Sequence, residues 1–144
     1  METREMGKVL VGVRIENLED VHRARQGAIT ADQIRAVDVP DAVVDTAATV
    51  FSMPPRLIER LGLQAVRTQR ARTATGVIPS RIYDSVRLTV QGRECRVEVA
   101  EVGEDCPVLL GQIPLEALDF VVDPLGRKLI GNPEHGGQQM YDLF

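Results

Sequence analysis

The sequence has no tryptophan, three phenylalanines and two tyrosines. Aliphatic side chains must therefore supply the core. No apolar run approaches the ~18–20 residues needed to cross a bilayer as a helix, and no membrane partner is expected. Only Lys8 and Lys128 are lysines, so nearly all positive charge is arginine. The net charge is −4 and the pI about 5.2, against the basic footprint of most nucleic-acid binders. Met1 to Lys8 holds Glu2, Arg4, Glu5 and Lys8 without an apolar stretch. No signal peptide is visible there, and the expectation is a cytoplasmic protein. Cys95 and Cys106 lack the close spacing of zinc or redox pairs. They read as two reduced, mostly buried thiols. His22 and His135 are isolated from other ligand types in the sequence, so no metal and no cofactor is expected.

What is present is Val- and Ile-rich and alternates with period two, the mark of pleated strands. Val9, Val11, Val13 and Ile15 alternate with Leu10, Gly12 and Arg14. A polar, irregular stretch follows from Glu16 to Gly27. Ala36–Val39 and Ala42–Val44 read as two short strands broken at Pro40. Pro54 and Pro55 suit a first helical turn capped by Ser52 or Met53. Leu57, Ile58 and Leu61 share one helical face, and Gly62 is placed to close the helix left-handed. From Val66 to Val102 the pattern is β throughout, with reversals at Thr75-Gly76 and Gln91-Gly92. Val108 to Gly111 reads as a buried strand and Pro114 to Leu118 as a short helix. Phe120–Asp123 and Arg127–Ile130 read as strands around a Pro124-Leu125-Gly126 turn. The length of 144 residues fits one domain, residues 1–144, with a core over about 8–133 and a tail over 134–144. Many short strands with one or two short helices predict an all-β closed barrel.

Asp45 stands out chemically. It ends the apolar run Ala42-Val43-Val44 and begins Asp45-Thr46-Ala47-Ala48-Thr49. A carboxylate ending a buried strand is costly unless its charge is used or compensated. One reading makes Asp45 a turn cap whose oxygens accept backbone N–H bonds. The other makes it a catalytic group. Arg67, Arg70, Arg72 and Arg81 crowd one hairpin. They read either as a solvated sheet face or as a preference for acidic peptides or an acidic partner.

The ordered set of Val43-Val44-Asp45-Thr46-Ala47-Ala48, a hairpin turning at Gly76, and Val108-Leu109-Leu110-Gly111 resembles the retropepsin-like aspartic proteases. The ending Leu118 to Pro124 and Arg127 to Ile130 looks like that of their prokaryotic members. The resemblance covers roughly residues 8–133. It implies an acid-protease barrel and a homodimeric endopeptidase. Asp45 is then the catalytic residue, and Thr46, Ala47 and Ala48 complete the active-site loop. Ala74, Thr75, Gly76 and Val77 form a substrate-binding flap, with Leu110 and Gly111 structural behind the loop. A single Asp-Thr element in so short a chain implies that the second carboxylate comes from an identical partner. The implied substrate is an extended peptide or protein segment, with no nucleic acid involved. Ala47 departs from the family's usual Gly. A positive φ there would strain Ala by about 1 kcal/mol or more; at negative φ a methyl is tolerated. The alternative is a catalytically silent peptide-binding or assembly module of the same fold. Gln112-Ile113 is a second departure, since viral members often carry Arg-Asp or Arg-Asn there.

Overall fold

The computed structural model describes residues 8–143. Met1 to Gly7 and Phe144, which enter the readings of the two chain ends, lie outside the described residues. The first strand, β1 (Val9–Asn17), pairs antiparallel with β2 (Ala36–Val44). Between them runs the helix α1 (Leu18–Arg25). After Asp45 come β3 (Phe51–Met53) and α2 (Pro55–Leu61), then three meander strands: β4 (Ala65–Thr73), β5 (Gly76–Val90) and β6 (Arg93–Glu101). The two-residue β7 (Leu109–Leu110), α3 (Gln112–Leu118) and the hairpin β8 (Phe120–Asp123) and β9 (Lys128–Gly131) complete the fold.

The sheet order is β1-β2-β7-β3-β6-β5-β4, with β1 also bonded to β5. That extra pairing closes β1, β2, β7, β3, β6 and β5 into a six-stranded ring, so the expected all-β closed barrel is what forms. β8 and β9 pair with each other as a separate hairpin, and of the seven strands of this sheet only β4 stays outside the ring. The alternation read in the sequence decides which side chains fill it. Val13, Ile15, Val86, Leu88, Val90, Val97 and Val99 are all buried, while Arg14, Arg96 and Glu98 between them face out and Arg87 and Thr89 are half-buried. Phe51, Met53, Leu61, Leu110 and Leu118 complete the core. The Gln91-Gly92 reversal has φ of 49° and 82°, the two positive values a tight hairpin turn needs. No helix among the described residues is long and apolar enough to cross a membrane.

Several expectations are corrected. The stretch Glu16–Gly27 contains α1, started by Asn17, whose side chain accepts from the Asp20 N–H. Among its residues only Asp20 and Val21 are buried, so no apolar period announces it. Ala36–Val44 is one strand, not two. Pro40 and Asp41 together oppose Gly12 in a bulge, where Pro40 needs no ladder donor. Pro54, rather than Ser52 or Met53, is the α2 cap residue. Gly62 closes α2 at φ +65° as expected. Cys106 is exposed in the β6–β7 connection, and only Cys95 is partly buried, which pushes its thiol up to about 11.

His135 is not isolated. Its Nδ1 lies 2.6 Å from Asp119 Oδ2, and the Met140 N–H also donates to that oxygen. The contact holds the Asp119 carboxyl below and the His135 imidazole above its ordinary value. Arg93 stacks 4.5 Å over the Phe120 ring and donates to the Leu118 and Asp119 carbonyls, tying the last hairpin to the barrel.

A clamp links α1, β2 and α2. The buried Asp20 carboxylate accepts from Arg35 Nε at 2.8 Å, Arg35 Nη2 at 3.0 Å and the Arg35 backbone N–H at 3.0 Å. A Cβ at Gly62 would meet the Arg35 guanidinium, so a side chain there would have to displace Arg35, and the positive φ itself favours glycine. Hydrogen bonding to Arg35 depresses the Asp20 pKa. Its stabilisation is therefore complete above the unfolded carboxylate value and is lost as pH falls through the lower folded one. Asp20→Asn is expected to lower stability at about pH 7 by roughly 1–3 kcal/mol and to flatten the acid limb. Urea midpoints followed from neutral to acid pH check both effects.

Candidate active site

Asp45 sits where β2 leaves the barrel. Val43 donates its N–H to Val108 at 2.8 Å, and Asp45 donates to Leu110 at 2.9 Å. β7 thus lies parallel to β2, pairing Val44 with Leu110. It is also antiparallel to β3, pairing Phe51 with Leu110. One short strand is wedged between the two that flank the Asp45 loop. The wedge then turns into α3 and donates to the loop itself. Gly111 N–H bonds Val50 O at 3.1 Å, Gln112 N–H bonds Ala48 O at 2.9 Å, and Ile113 N–H bonds Thr49 O at 2.8 Å. The Gln112 side chain reaches Thr46 O at 2.8 Å. The carbonyls of Thr46, Ala48, Thr49 and Val50 are each satisfied from Gly111 to Ile113.

That closeness requires glycine at 111. A Cβ there would meet Val50 O at 2.6 Å and Ala48 O at 2.7 Å, both backbone atoms that cannot swing aside. Leu110 behind it is fully buried. Leu110 and Gly111 thus pack against the Asp45 loop.

Within the loop, Asp45 is half-buried, Thr46 and Ala47 are exposed, and Ala48 is half-buried. Asp45 Oδ1 accepts from the Ala47 N–H at 3.0 Å, and the Asp45 carbonyl accepts from the Ala48 N–H at 3.1 Å. The turn-cap reading is therefore correct as geometry, but it uses one carboxylate oxygen. Oδ2 has no hydrogen-bond partner among the described residues. Ala47 is not among the residues with positive φ, so its methyl carries no left-handed strain.

Other carboxylates are engaged elsewhere: Asp119 with His135, Asp38 with Arg14, and Asp123 Oδ1 with the Leu125 N–H. None forms a hydrogen bond to Asp45 among the described residues. The tip of the β4–β5 hairpin is formed by Ala74 and Thr75, between paired Thr73 and Gly76. Gly76 has φ +135° with open space around it, so it is required for conformation, not for packing. Ala74, Thr75, Gly76 and Val77 are all exposed. The chain makes no hydrogen bond between this tip and the Asp45 loop among the described residues.

A family model described as aspartyl protease matches residues 28–113. The match runs from before β2 through the Asp45 loop, the hairpin and β7, well over half of the chain. This chain belongs to the retropepsin-like aspartyl protease family. No curated protein matches it.

For an aspartyl protease, Gln112 is the informative residue that the sequence did not reveal. It stood out there only as a departure. In the fold its side-chain amide donates to the Thr46 carbonyl at 2.8 Å. The signal available in sequence was its position directly after the apolar-apolar-Gly element.

Gly111→Ala is expected to cost about 1–3 kcal/mol or more through overpacking, read from urea unfolding. Gln112→Ala should leave global stability nearly unchanged, because Gln112 is exposed. It should increase hydrogen exchange at the Ala47 and Ala48 amides, and unchanged exchange there would show that the loop does not depend on Gln112.

Proposed function

We propose that two copies of this chain assemble one aspartic endopeptidase site, with Asp45 of each protomer facing its twin across a two-fold axis. The observation that carries this reading is a carboxylate fixed at the end of a barrel strand. One oxygen is tied to the loop and the other is open, with no second acid bonded to it. A lone carboxylate does not provide both the base that polarises a water and the acid that hydrogen-bonds the scissile carbonyl. Two carboxylates sharing one proton do, because like charges ~3 Å apart resist ionising together and their pKa values split.

In this arrangement the ionised Asp45 orients and polarises the water. The partner subunit's Asp45, protonated, donates to the carbonyl oxygen of the peptide bond. Thr46 bonds across the axis and holds the two loops in register. Ala47 offers its carbonyl to the substrate backbone and Ala48 packs beside it. Ala74 to Val77 close over an extended peptide as a flap. Support for assembly comes from apolar side chains left exposed around the loop, Val50 at 38% and Ile113 at 48%. Leu10, opposite Val43 in the sheet, is 56% exposed. Burying such side chains favours association.

A silent module of the same fold was suggested by Ala47 in place of glycine. The absence of positive φ at Ala47 removes backbone strain as a ground for it; its other ground, the space a partner loop needs beside the methyl, is what Ala47→Gly probes.

Asp45→Asn is expected to lower cleavage of a peptide library by at least about a thousandfold, with the dimer intact by sedimentation velocity. The wild-type rate should be bell-shaped in pH, reporting two apparent constants that belong to the pair. Equal cleavage by wild type and Asp45→Asn would exclude this reading. Ala47→Gly should alter the rate by no more than a few-fold, about 1 kcal/mol of backbone effect.

A further inference from the structure

The β4–β5 hairpin separates charge sharply from the rest of the molecule. Residues 65–83 contain Arg67, Arg70, Arg72 and Arg81 and no Asp or Glu, in a chain whose net charge is −4. Two of these arginines are engaged. Arg67 is paired with Glu98 at 2.7 Å, and Arg81 Nη1 reaches the Tyr83 hydroxyl, which itself donates to Glu101. Arg70 and Arg72 are exposed and have no partner among the described residues. The register pairs Thr68 with Arg81, Arg70 with Pro79, and Arg72 with Val77. Directly opposed residues share a face, so Arg70 and Arg72 stand in line on one face of β4, beside the exposed Val77.

β4 is also the one strand of the seven-stranded sheet outside the ring, and among the described residues it is bonded to β5 alone. Its other edge presents free N–H and C=O groups over nine residues with no proline. The free portion of β5 is different: it is interrupted by Pro79, which has no N–H to offer. The hairpin therefore has one edge competent to take another strand, and that edge is lined by unneutralised guanidinium groups.

We infer that the outer edge of β4 docks an extended acidic peptide segment, adding it as a strand whose alternate carboxylates meet Arg70 and Arg72. Backbone pairing supplies affinity, and the charges supply selection and register. Arginine suits this role because its planar fork binds a carboxylate through two parallel bonds. The inference rests on the fold and on charge, and it does not require that the Asp45 site hydrolyse anything.

The test uses the full chain carrying Asp45→Asn, so that no probe can be cut. Four probes about ten residues long, the length of a long strand, are followed by fluorescence anisotropy. One alternates Glu with Thr and Val. Its twin has Gln at each Glu position. The third retains every Glu but is N-methylated on alternate residues, prepared in both parities. The last is a single-stranded DNA oligonucleotide. The Glu peptide should bind about tenfold or more tighter than its Gln twin, and added salt should weaken it. Arg70→Gln with Arg72→Gln should erase the difference, whereas Arg60→Gln on α2 should not. One parity of N-methylation should abolish binding. Four results overturn the inference: equal affinity for the Glu and Gln peptides, no binding of either, N-methylated peptides of both parities binding like the parent, or tighter binding of the oligonucleotide. Discrimination that persists when the wild-type chain cleaves nothing would count against the proposed hydrolysis alone.

Discussion

The passage of Leu109 to Gly111 between β2 and β3 is the constraint on which the site depends. It holds only two residues of strand, yet Leu110 accepts from the Asp45 N–H on one side, next to Val108 accepting from Val43, and Gly111 gives its N–H to the Val50 carbonyl of the Asp45 loop on the other, with Gln112 and Ile113 continuing onto Ala48 and Thr49. Each such bond is worth only about 1 kcal/mol net. Leaving those carbonyls unpaired where the chain is packed would cost more. The result is a loop with little freedom of its own, fixed to the fully buried Leu110 and through it to the core. Replacing the backbone contact by a side-chain contact is not an option, because the approach at Gly111 leaves no room for a single carbon.

The closed ring explains why the wedge holds its position. β2 is bonded to β1 and β7, and β3 to β7 and β6, so neither strand that borders the site is a free edge. The Asp20–Arg35 clamp then ties α1 to the start of β2, and the glycine ending α2 makes way for Arg35. Order therefore runs from the barrel outward, and the parts with few buried contacts are the hairpin beyond the ring and the tail. Such low-density segments open most easily. In the proposed enzyme the hairpin is the segment that must admit and enclose a peptide.

Much of this was legible in the sequence wherever local chemistry and tertiary structure agree. The Val/Ile alternation marks β1, β5 and β6. Gln91-Gly92 marks its hairpin, and Leu57, Ile58, Leu61 and Gly62 mark α2. Asp45 was legible because a carboxylate after an apolar run is expensive. The family model adds the aspartyl protease assignment. What escaped depends on partners distant in sequence. α1 carries its stability in an Asn17 cap and a salt bridge with Arg35, not in an apolar stripe. Pro40 looks like a strand breaker until the bulge opposite Gly12 absorbs it. His135 appears solitary because Asp119, sixteen positions earlier, reaches it only after the last hairpin folds back. Gln112 appears as a mere departure until its amide is seen on the Thr46 carbonyl.

The most direct measurement of the central claim is a crystal structure of the assembled protein, read for the separation of the two Asp45 carboxylates. The account predicts a two-fold dimer with those groups within hydrogen-bonding distance, about 3 Å, each still backed by its own Gly111. A chain that remains monomeric at working concentration, or an assembly that directs the two acids to opposite faces, would contradict it.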